Sequence, residues 1–168
     1  MEHSSYFPLF VDMSGKKIMF FGGGRVATRR VGVLQPFAEN ITVVSPDISP
    51  HLEELVRNDL IHWKKKKYEE SDLSEADMVF AATGDAGTDK RIAEDCGKCG
   101  ILVNAASDRD LCDFFFPAIV ERGQTVIGIN GSGMDHSGVK EIRIRIEEAL
   151  AGKCRQERDQ DWDGRHKR

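Results

Sequence analysis

Lys17-Ile18-Met19-Phe20-Phe21-Gly22-Gly23-Gly24-Arg25-Val26-Ala27 is the stretch whose pattern decides the fold. The segment Lys16 to Phe21 is charged at its start and then purely apolar, as a strand buried on both faces should be. A glycine run follows. Over Val26 to Phe37, Ala27, Val31 and Leu34 then recur at helical spacing. Gly22-x-Gly24-x-x-Ala27 matches the dinucleotide fingerprint G-x-G-x-x-G/A, with a strand before it and a helix after it. In that fingerprint the first glycine permits a tight turn, and the second lets the backbone approach a pyrophosphate. The small third residue lets helix and strand pack closely. The N–H groups at the helix start meet the phosphate charge, aided by the helix dipole.

Outward from this stretch, short strands alternate with helices. Ile41 to Ser45 is predicted as a strand closed by Pro46, and Pro50 to Asn58 as a helix with proline in its first turn. Ile61 to Trp63, Asp77 to Ala82 and Ile101 to Ala105 read as strands, with a helix over Thr88 to Lys98. That order implies an α/β fold, a Rossmann-type parallel sheet with helices on both faces. The pattern changes near residue 113. Phe114 to Val120 and Thr125 to Ile129 read as a hairpin joined by Glu121-Arg122-Gly123-Gln124. A helix from about Gly138 to Leu150 places Val139, Ile142, Ile146 and Leu150 on one face. A hairpin and one helix cannot bury that apolar surface alone, so dimerisation is expected here. The expected division is a dinucleotide-binding Rossmann domain over 1–113, a dimerisation segment over 114–150 and a charged, disordered tail over 151–168.

Composition narrows the class. With 40% hydrophobic and 31% charged residues, the 168-residue chain reads as globular. No apolar run approaches the roughly 18–20 residues that cross a bilayer, and Met1 to Asp12 lacks the pattern of a secretory signal. The expectation is a cytoplasmic protein with no membrane contact. A net charge of −4 gives no push toward nucleic acid, and Lys64-Lys65-Lys66-Lys67, followed by Glu69 and Glu70, reads as a solvated face. Cys96 and Cys99 have no second pair at zinc spacing. They read as two small apolar residues near a helix end before Gly100, and no metal site is expected.

Further motifs stand in order along the chain: Phe7-Pro8-Leu9-Phe10, Gly22-Gly23-Gly24-Arg25-Val26-Ala27-x-Arg29-Arg30, Thr42-Val43-Val44-Ser45-Pro46, Ala81-Ala82-Thr83, Val103-Asn104 and Phe114-Phe115-Phe116-Pro117-Ala118. Together they resemble the precorrin-2 dehydrogenase family, the dehydrogenase/ferrochelatase module of siroheme synthase, over roughly residues 4–150. The resemblance implies NAD-dependent oxidation of precorrin-2 to sirohydrochlorin. In some members the same module also inserts Fe²⁺. It further implies a homodimer interlocked through the segment after residue 113. By resemblance NAD contacts Arg25 and Val26 beside Gly22, Gly23 and Gly24, then Pro46 and Asp47 after the second strand. Thr83, Gly84, Asp85 and Asn104 follow on the rim where a Rossmann sheet opens to its ligand. Asp85 and Asn104 also fit plain turn chemistry. The acid that takes the ribose hydroxyls of NAD usually ends the second strand. Ser45 and Pro46 stand there, with Asp47 just beyond, and Arg25 offers a partner for a 2′-phosphate, so NAD and NADP both remain open.

The chain departs from the family pattern at three places. Direct alignment puts Ser107 where the family has a key aspartate, and Asp108 follows one residue later. Asp108 is the candidate base or transient metal ligand; the alternative is a polar turn built by Ser107, Asp108 and Asp110. In Gly131-Ser132-Gly133-Met134-Asp135-His136-Ser137-Gly138, Gly138 replaces the family's proline. Ser137 is expected to cap the helix, and His136 to titrate near neutral pH as an acid, base or soft metal ligand. Both are candidate substrate contacts. The family often carries a further helical domain after the dimerisation segment, and the resemblance stops near Leu150, so a more open tetrapyrrole site is expected. A non-catalytic dinucleotide sensor, or a partner of another tetrapyrrole enzyme, is the competing reading. An unrelated short-chain reductase would need a Tyr-x-x-x-Lys pair, which neither Tyr6 nor Tyr68 supplies.

Overall fold

The apolar run after Lys16 forms β1 (Lys17–Phe21), with Ile18, Met19, Phe20 and Phe21 all buried. A strand apolar on both faces belongs at the centre of a sheet. It pairs in parallel with β2 (Asn40–Val44) on one side and β4 (Met78–Ala81) on the other. β3 (His62–Lys64) and β5 (Leu102–Ala105) complete a five-stranded parallel sheet in the order β3-β2-β1-β4-β5. The computed structural model describes residues 6–164 and divides the chain into two compact units, one over 9–115 and one combining 6–8 with 116–164 among the described residues.

Three helices connect the strands of the first unit. α1 (Arg25–Leu34) buries Ala27, Val31 and Leu34, and a 3₁₀ turn over Gln35–Phe37 follows it. Pro36 carries no N–H to continue the α-helical bonds. α2 (Pro50–Arg57) starts at Ser49, whose Oγ accepts from the Leu52 N–H at 3.3 Å. α3 (Ala86–Cys99) starts two residues earlier than the apolar period suggests, because Asp85 caps it by accepting from the Thr88 N–H at 2.7 Å. It ends at Gly100, whose φ of +69° suits glycine.

One face of the sheet packs Phe21, Val79, Ala81, Val103 and Ala105 against Ile92, Ala93 and Cys96 of α3, with Tyr68 and Leu73 beside them. On the other face Phe20 stacks on Phe80 at 4.5 Å between ring centroids, and Phe114 meets Phe80 edge-on at 5.4 Å. The exposed side of β5 is closed by residues after it. The Asp113 N–H donates to the Val103 carbonyl at 2.9 Å, and the Val103 N–H donates to Asp113 Oδ2 at 2.8 Å.

The sequence readings of the charged and cysteine segments agree with this packing. Lys64 pairs with Glu75 at 2.6 Å, Lys66 with Glu69 at 2.7 Å and with Asp72 at 3.2 Å, while Lys65 lies over the Trp63 ring. Two of the four lysines of the run, Lys64 and Lys66, are thus matched by carboxylates of their own unit. Cys96 is buried in the core and burial pushes its thiol up to about 12, so it is inert, whereas Cys99 is exposed.

In the second unit β6 (Ala118–Arg122) and β7 (Thr125–Ile129) form an antiparallel hairpin. Its turn is only Gly123-Gln124, with Gly123 at φ +58°, as a two-residue hairpin loop requires. The expected strand over Phe114–Pro117 is absent; β6 begins after Pro117, which has no N–H to give to a ladder. α4 (His136–Gly164) begins before Gly138 and its backbone is helical through 151–164, where the composition suggests a disordered tail. That stretch lacks proline, so nothing in it blocks the extension of a helix begun earlier. Residues 165–168 of the expected tail lie outside the described residues. Among the described residues no helix is long and apolar enough to cross a membrane.

A buried polar brace joins α3 to the loop after β3. Tyr68 donates its OH to Asp95 Oδ2 at 2.9 Å, Lys98 pairs with Asp95 Oδ1 at 2.7 Å, and Arg91 lies over the Tyr68 ring at 4.9 Å. The bond from Lys98, then that from Tyr68, holds the Asp95 carboxyl below its ordinary pKa. A depressed folded-state pKa contributes stability that is present above the unfolded value of about 3.9 and fades as pH falls through the folded one. Urea unfolding should therefore show Asp95→Asn less stable than the wild type at pH 7, with the gap narrowing below about pH 4. A gap that stays constant across that range would remove the charge from the brace.

Candidate functional site

The site forms at the carboxyl ends of β1, β2 and β4, where the sheet order reverses. The glycine loop shows which of its members are packed and which are open. Gly22 has φ +112°, and a Cβ there would meet the Ala82 carbonyl oxygen at 2.1 Å and Thr83 Cα at 2.9 Å. A Cβ at Gly23 would meet the Asp47 carbonyl oxygen at 2.3 Å and Ile48. A Cβ at Gly24 would meet nothing within 4 Å. Gly22 and Gly23 are therefore close-approach glycines, and Gly24, at the start of α1, is the one that fronts open space. Ala27 is fully buried, as the fingerprint's third small position requires.

The loop is tied to its neighbours by hydrogen bonds. The Gly22 N–H donates to the Val44 carbonyl at 3.0 Å, and the Ser49 N–H donates to the Gly23 carbonyl at 3.1 Å. Thr28 Oγ1 lies 2.9 Å from the Gly24 carbonyl and 2.8 Å from Ser49 Oγ. Arg25 and Val26 are exposed beside it, where the first N–H groups of α1 have no intrahelical acceptor. Pro46 and Asp47 are exposed directly after β2, with the Asp47 backbone against Gly23. A dinucleotide fits this arrangement: backbone donors and an open glycine for the pyrophosphate, and a carboxylate after β2 for the ribose.

On the opposite rim, Thr83, Gly84 and Asp85 form a rigid turn. Gly84 has φ +83° and no atom near the place of its missing side chain. The Asp85 carboxyl is held below its ordinary pKa by the bonds from Thr88, consistent with its capping role. Asn104 is buried at 2% exposure; its Nδ2 donates to the Phe114 carbonyl at 2.7 Å, and its Oδ1 has no partner among the described residues. Ser107 and Asp108 follow β5 and are exposed. Asp108 Oδ1 accepts from the Asp110 N–H at 2.9 Å and opens a 3₁₀ turn over Arg109–Leu111. Cys112, whose thiol is pushed up chiefly by burial, accepts from the Ala105 N–H at 3.3 Å and anchors the end of that turn.

His136 and Ser137 belong to the second unit, in the first turn of α4. The expected cap changes here. Asp135, not Ser137, caps the helix: its Oδ1 accepts from the Gly138 N–H at 2.7 Å. Gly138 makes room for this, since a Cβ there would meet Asp135 Oδ2 at 2.0 Å, and a proline at 138 would offer no N–H to bond. The physical reason is that a carboxylate at the helix N-terminus satisfies a free N–H and also complements the helix dipole.

The chain matches the family described as "Putative NAD(P)-binding" over residues 9–118. It is 32% identical to the precorrin-2 dehydrogenase of Bacillus subtilis (strain 168) over 86% of this chain and 89% of that one. The chain belongs to the precorrin-2 dehydrogenase family. It is also 39% identical to a protein of Ruminiclostridium josui named "Probable multifunctional siroheme biosynthesis protein", over 83% of this chain but only 27% of that one. Against siroheme synthase 1 of Serratia proteamaculans (strain 568) it is 31% identical over 86% of this chain and 30% of the relative. The chain thus spans under a third of these longer relatives and nearly all of the Bacillus protein. A solved precorrin-2 dehydrogenase superposes with a TM-score of 0.71 at 28% identity, covering 88% of this chain and 71% of that structure.

Two features of the family's cofactor edge in this chain lie outside the glycine fingerprint. Gly23 occupies a variable position of the motif, yet it is packed as tightly as Gly22. Asp89 is 1% exposed and bonds to Thr83, although as an acid early in α3 it has the sequence character of an ordinary surface residue.

The contrast among the glycines is testable. Gly24→Asp should leave the melting temperature within a few degrees of wild type, because the position is open and aspartate is a good N-cap. It should abolish dinucleotide binding by setting a carboxylate against the pyrophosphate. Gly22→Ala should instead lower stability, since both φ and space forbid a Cβ. Thermal melting with a dinucleotide titration separates the two. For α4, Asp135→Ala should cost about 1 kcal/mol of unfolding free energy and Ser137→Ala less than about 0.5; equal costs would remove Asp135 as the cap.

Proposed function

We propose that this chain is an NAD-dependent precorrin-2 dehydrogenase that forms sirohydrochlorin in siroheme biosynthesis. The observation that carries this reading is the match to the Bacillus subtilis precorrin-2 dehydrogenase across nearly the full length of both chains. The cofactor edge supports it through packed Gly22 and Gly23 and open Gly24. When bound, NAD⁺ supplies the acceptor for the hydride taken from the reduced tetrapyrrole.

The chain's own residues have three tasks. Arg25, Val26 and the glycine loop hold the pyrophosphate, Asp47 takes the ribose, and Thr83 to Asp85 line the opposite rim with Asn104 beneath. Asp108 takes the proton released with the hydride, and its bond to the Asp110 N–H fixes the carboxylate's direction. His136, whose side chain lies outside those described, and Ser137 are the candidate contacts for the acidic side chains of the macrocycle. The protein acts in the cytoplasm as a homodimer joined through the second unit, where Ile142, on the apolar face of α4, stays exposed in the single chain at 48%. Insertion of Fe²⁺, as a second substrate, is tested in the same assay.

A second reading is a dinucleotide-binding protein without turnover, in which Asp108 serves only as a turn cap. Anaerobic incubation with precorrin-2 and NAD⁺, following NADH and the tetrapyrrole spectrum, separates the two. Stoichiometric NADH with a sirohydrochlorin spectrum is expected; bound NAD⁺ with no turnover would establish the second reading. Fe²⁺ added after turnover then reports chelation. Asp108→Ala should lower turnover by about a hundredfold or more with NAD⁺ affinity unchanged. Unchanged turnover would leave Asp108 as a cap only.

A further inference from the structure

The loop after β4 is set by a residue that the fingerprint does not contain. Asp89 is 1% exposed, in the first turn of α3, and its Oδ1 accepts two hydrogen bonds from one residue. The Thr83 N–H donates at 3.0 Å and the Thr83 hydroxyl at 2.6 Å. With its proton given to Asp89, Thr83 Oγ1 accepts from the Asp85 N–H at 3.2 Å. One buried carboxylate oxygen therefore fixes the whole turn Thr83-Gly84-Asp85.

This turn is not independent of the phosphate loop. The Ala82 carbonyl and Thr83 Cα are the atoms that a Cβ on Gly22 would strike, at 2.1 and 2.9 Å. Whatever moves Thr83 moves the wall against which Gly22 packs. Asp89 sits in the first turn of α3, where the helix dipole favours negative charge. The half-buried Arg30 guanidinium of α1 adds to this; its pKa is lowered mainly by burial, then by Arg29, while Asp89 acts in the opposite sense.

We propose that Asp89 is a positioning residue for the cofactor: through Thr83 it holds the post-β4 turn and the Gly22 wall in the geometry that receives the dinucleotide. This rests on the dinucleotide reading above. It assigns Asp89 no contact with substrate and no part in proton transfer. Its requirement is for an oxygen acceptor at Oδ1, not for a titrating acid, which makes Asp89→Asn and Asp89→Ala opposite cases.

The test is calorimetric titration of the full chain with NAD⁺, together with melting temperatures and steady-state kinetics. Asp89→Ala should weaken NAD⁺ binding by about tenfold or more, the effect of losing both hydrogen bonds that hold the part-buried Thr83. Asp89→Asn keeps the acceptor and should bind within about threefold of wild type. In turnover, Asp89→Ala should raise the KM for NAD⁺ and leave kcat at saturating NAD⁺ within about twofold. Should Asp89→Ala not fold, Thr83→Val removes only the hydroxyl and should weaken binding by about threefold or more, with Thr83→Ser restoring it. Wild-type affinity in Asp89→Ala or in Thr83→Val overturns the proposal, as does an Asn variant as weak as the Ala variant. A wild-type chain that takes up no NAD⁺ overturns the dinucleotide reading itself, and this inference with it.

Discussion

The cofactor edge depends on how closely the chain leaving β1 passes the chain leaving β4. Gly22 occupies that gap. Its N–H reaches across to the Val44 carbonyl at the end of β2, while its other side lies against the Ala82 carbonyl. A single residue without a side chain thus touches both neighbours of the central strand at the point where the strand order reverses. In an open parallel sheet, the crevice for a ligand lies at such a reversal. Its left-handed φ turns the chain sharply enough to start α1 three residues later. With a side chain at this position the two rims would have to separate, and the crevice would lose the spacing that a pyrophosphate bridges.

The rims themselves are held mainly by polar contacts. Loops at a sheet edge carry backbone groups that need partners, and apolar packing cannot supply them. Here side chains do so: Ser49 for Leu52, Asp85 for Thr88, Asp89 for Thr83, Asp113 for Val103 and Asp108 for Asp110. Most of these acceptors are carboxylates, which give stronger bonds to N–H groups than neutral oxygens do. A rim already ordered by such bonds loses less freedom when a ligand arrives, so more of the contact energy remains as affinity.

Much of this architecture is legible in the sequence for a physical reason. Strands buried on both faces must be uninterrupted apolar runs, and Ile18–Phe21 and Met78–Ala81 are such runs, so their places and parallel pairing follow directly. Elements at the surface are less determined. The Phe114–Pro117 segment has strand-like composition, but Pro117 denies it a ladder bond and Phe114 instead packs edge-on against Phe80. The cap of α4 turns on which of two nearby oxygen-bearing residues the loop places at the helix start, and composition alone does not distinguish Asp135 from Ser137. Asp89 is harder still, because nothing in composition separates a buried acid bonded to a loop from an acid facing water.

The same logic bears on Asp108, where structure and chemistry can be set against each other. An aspartate that caps a turn looks like a purely local device. Yet a general base must present a lone pair in a fixed direction, and an unconstrained surface carboxylate does not. The bond from the Asp110 N–H takes Oδ1, and Oδ2 carries no bond among the described residues. Cys112 fixes the far end of the loop by its reciprocal contacts with Ala105, at 3.3 Å from the N–H and 3.2 Å to the carbonyl. Capping therefore does not compete with the proposed proton transfer at this position; it fixes the direction of the carboxylate.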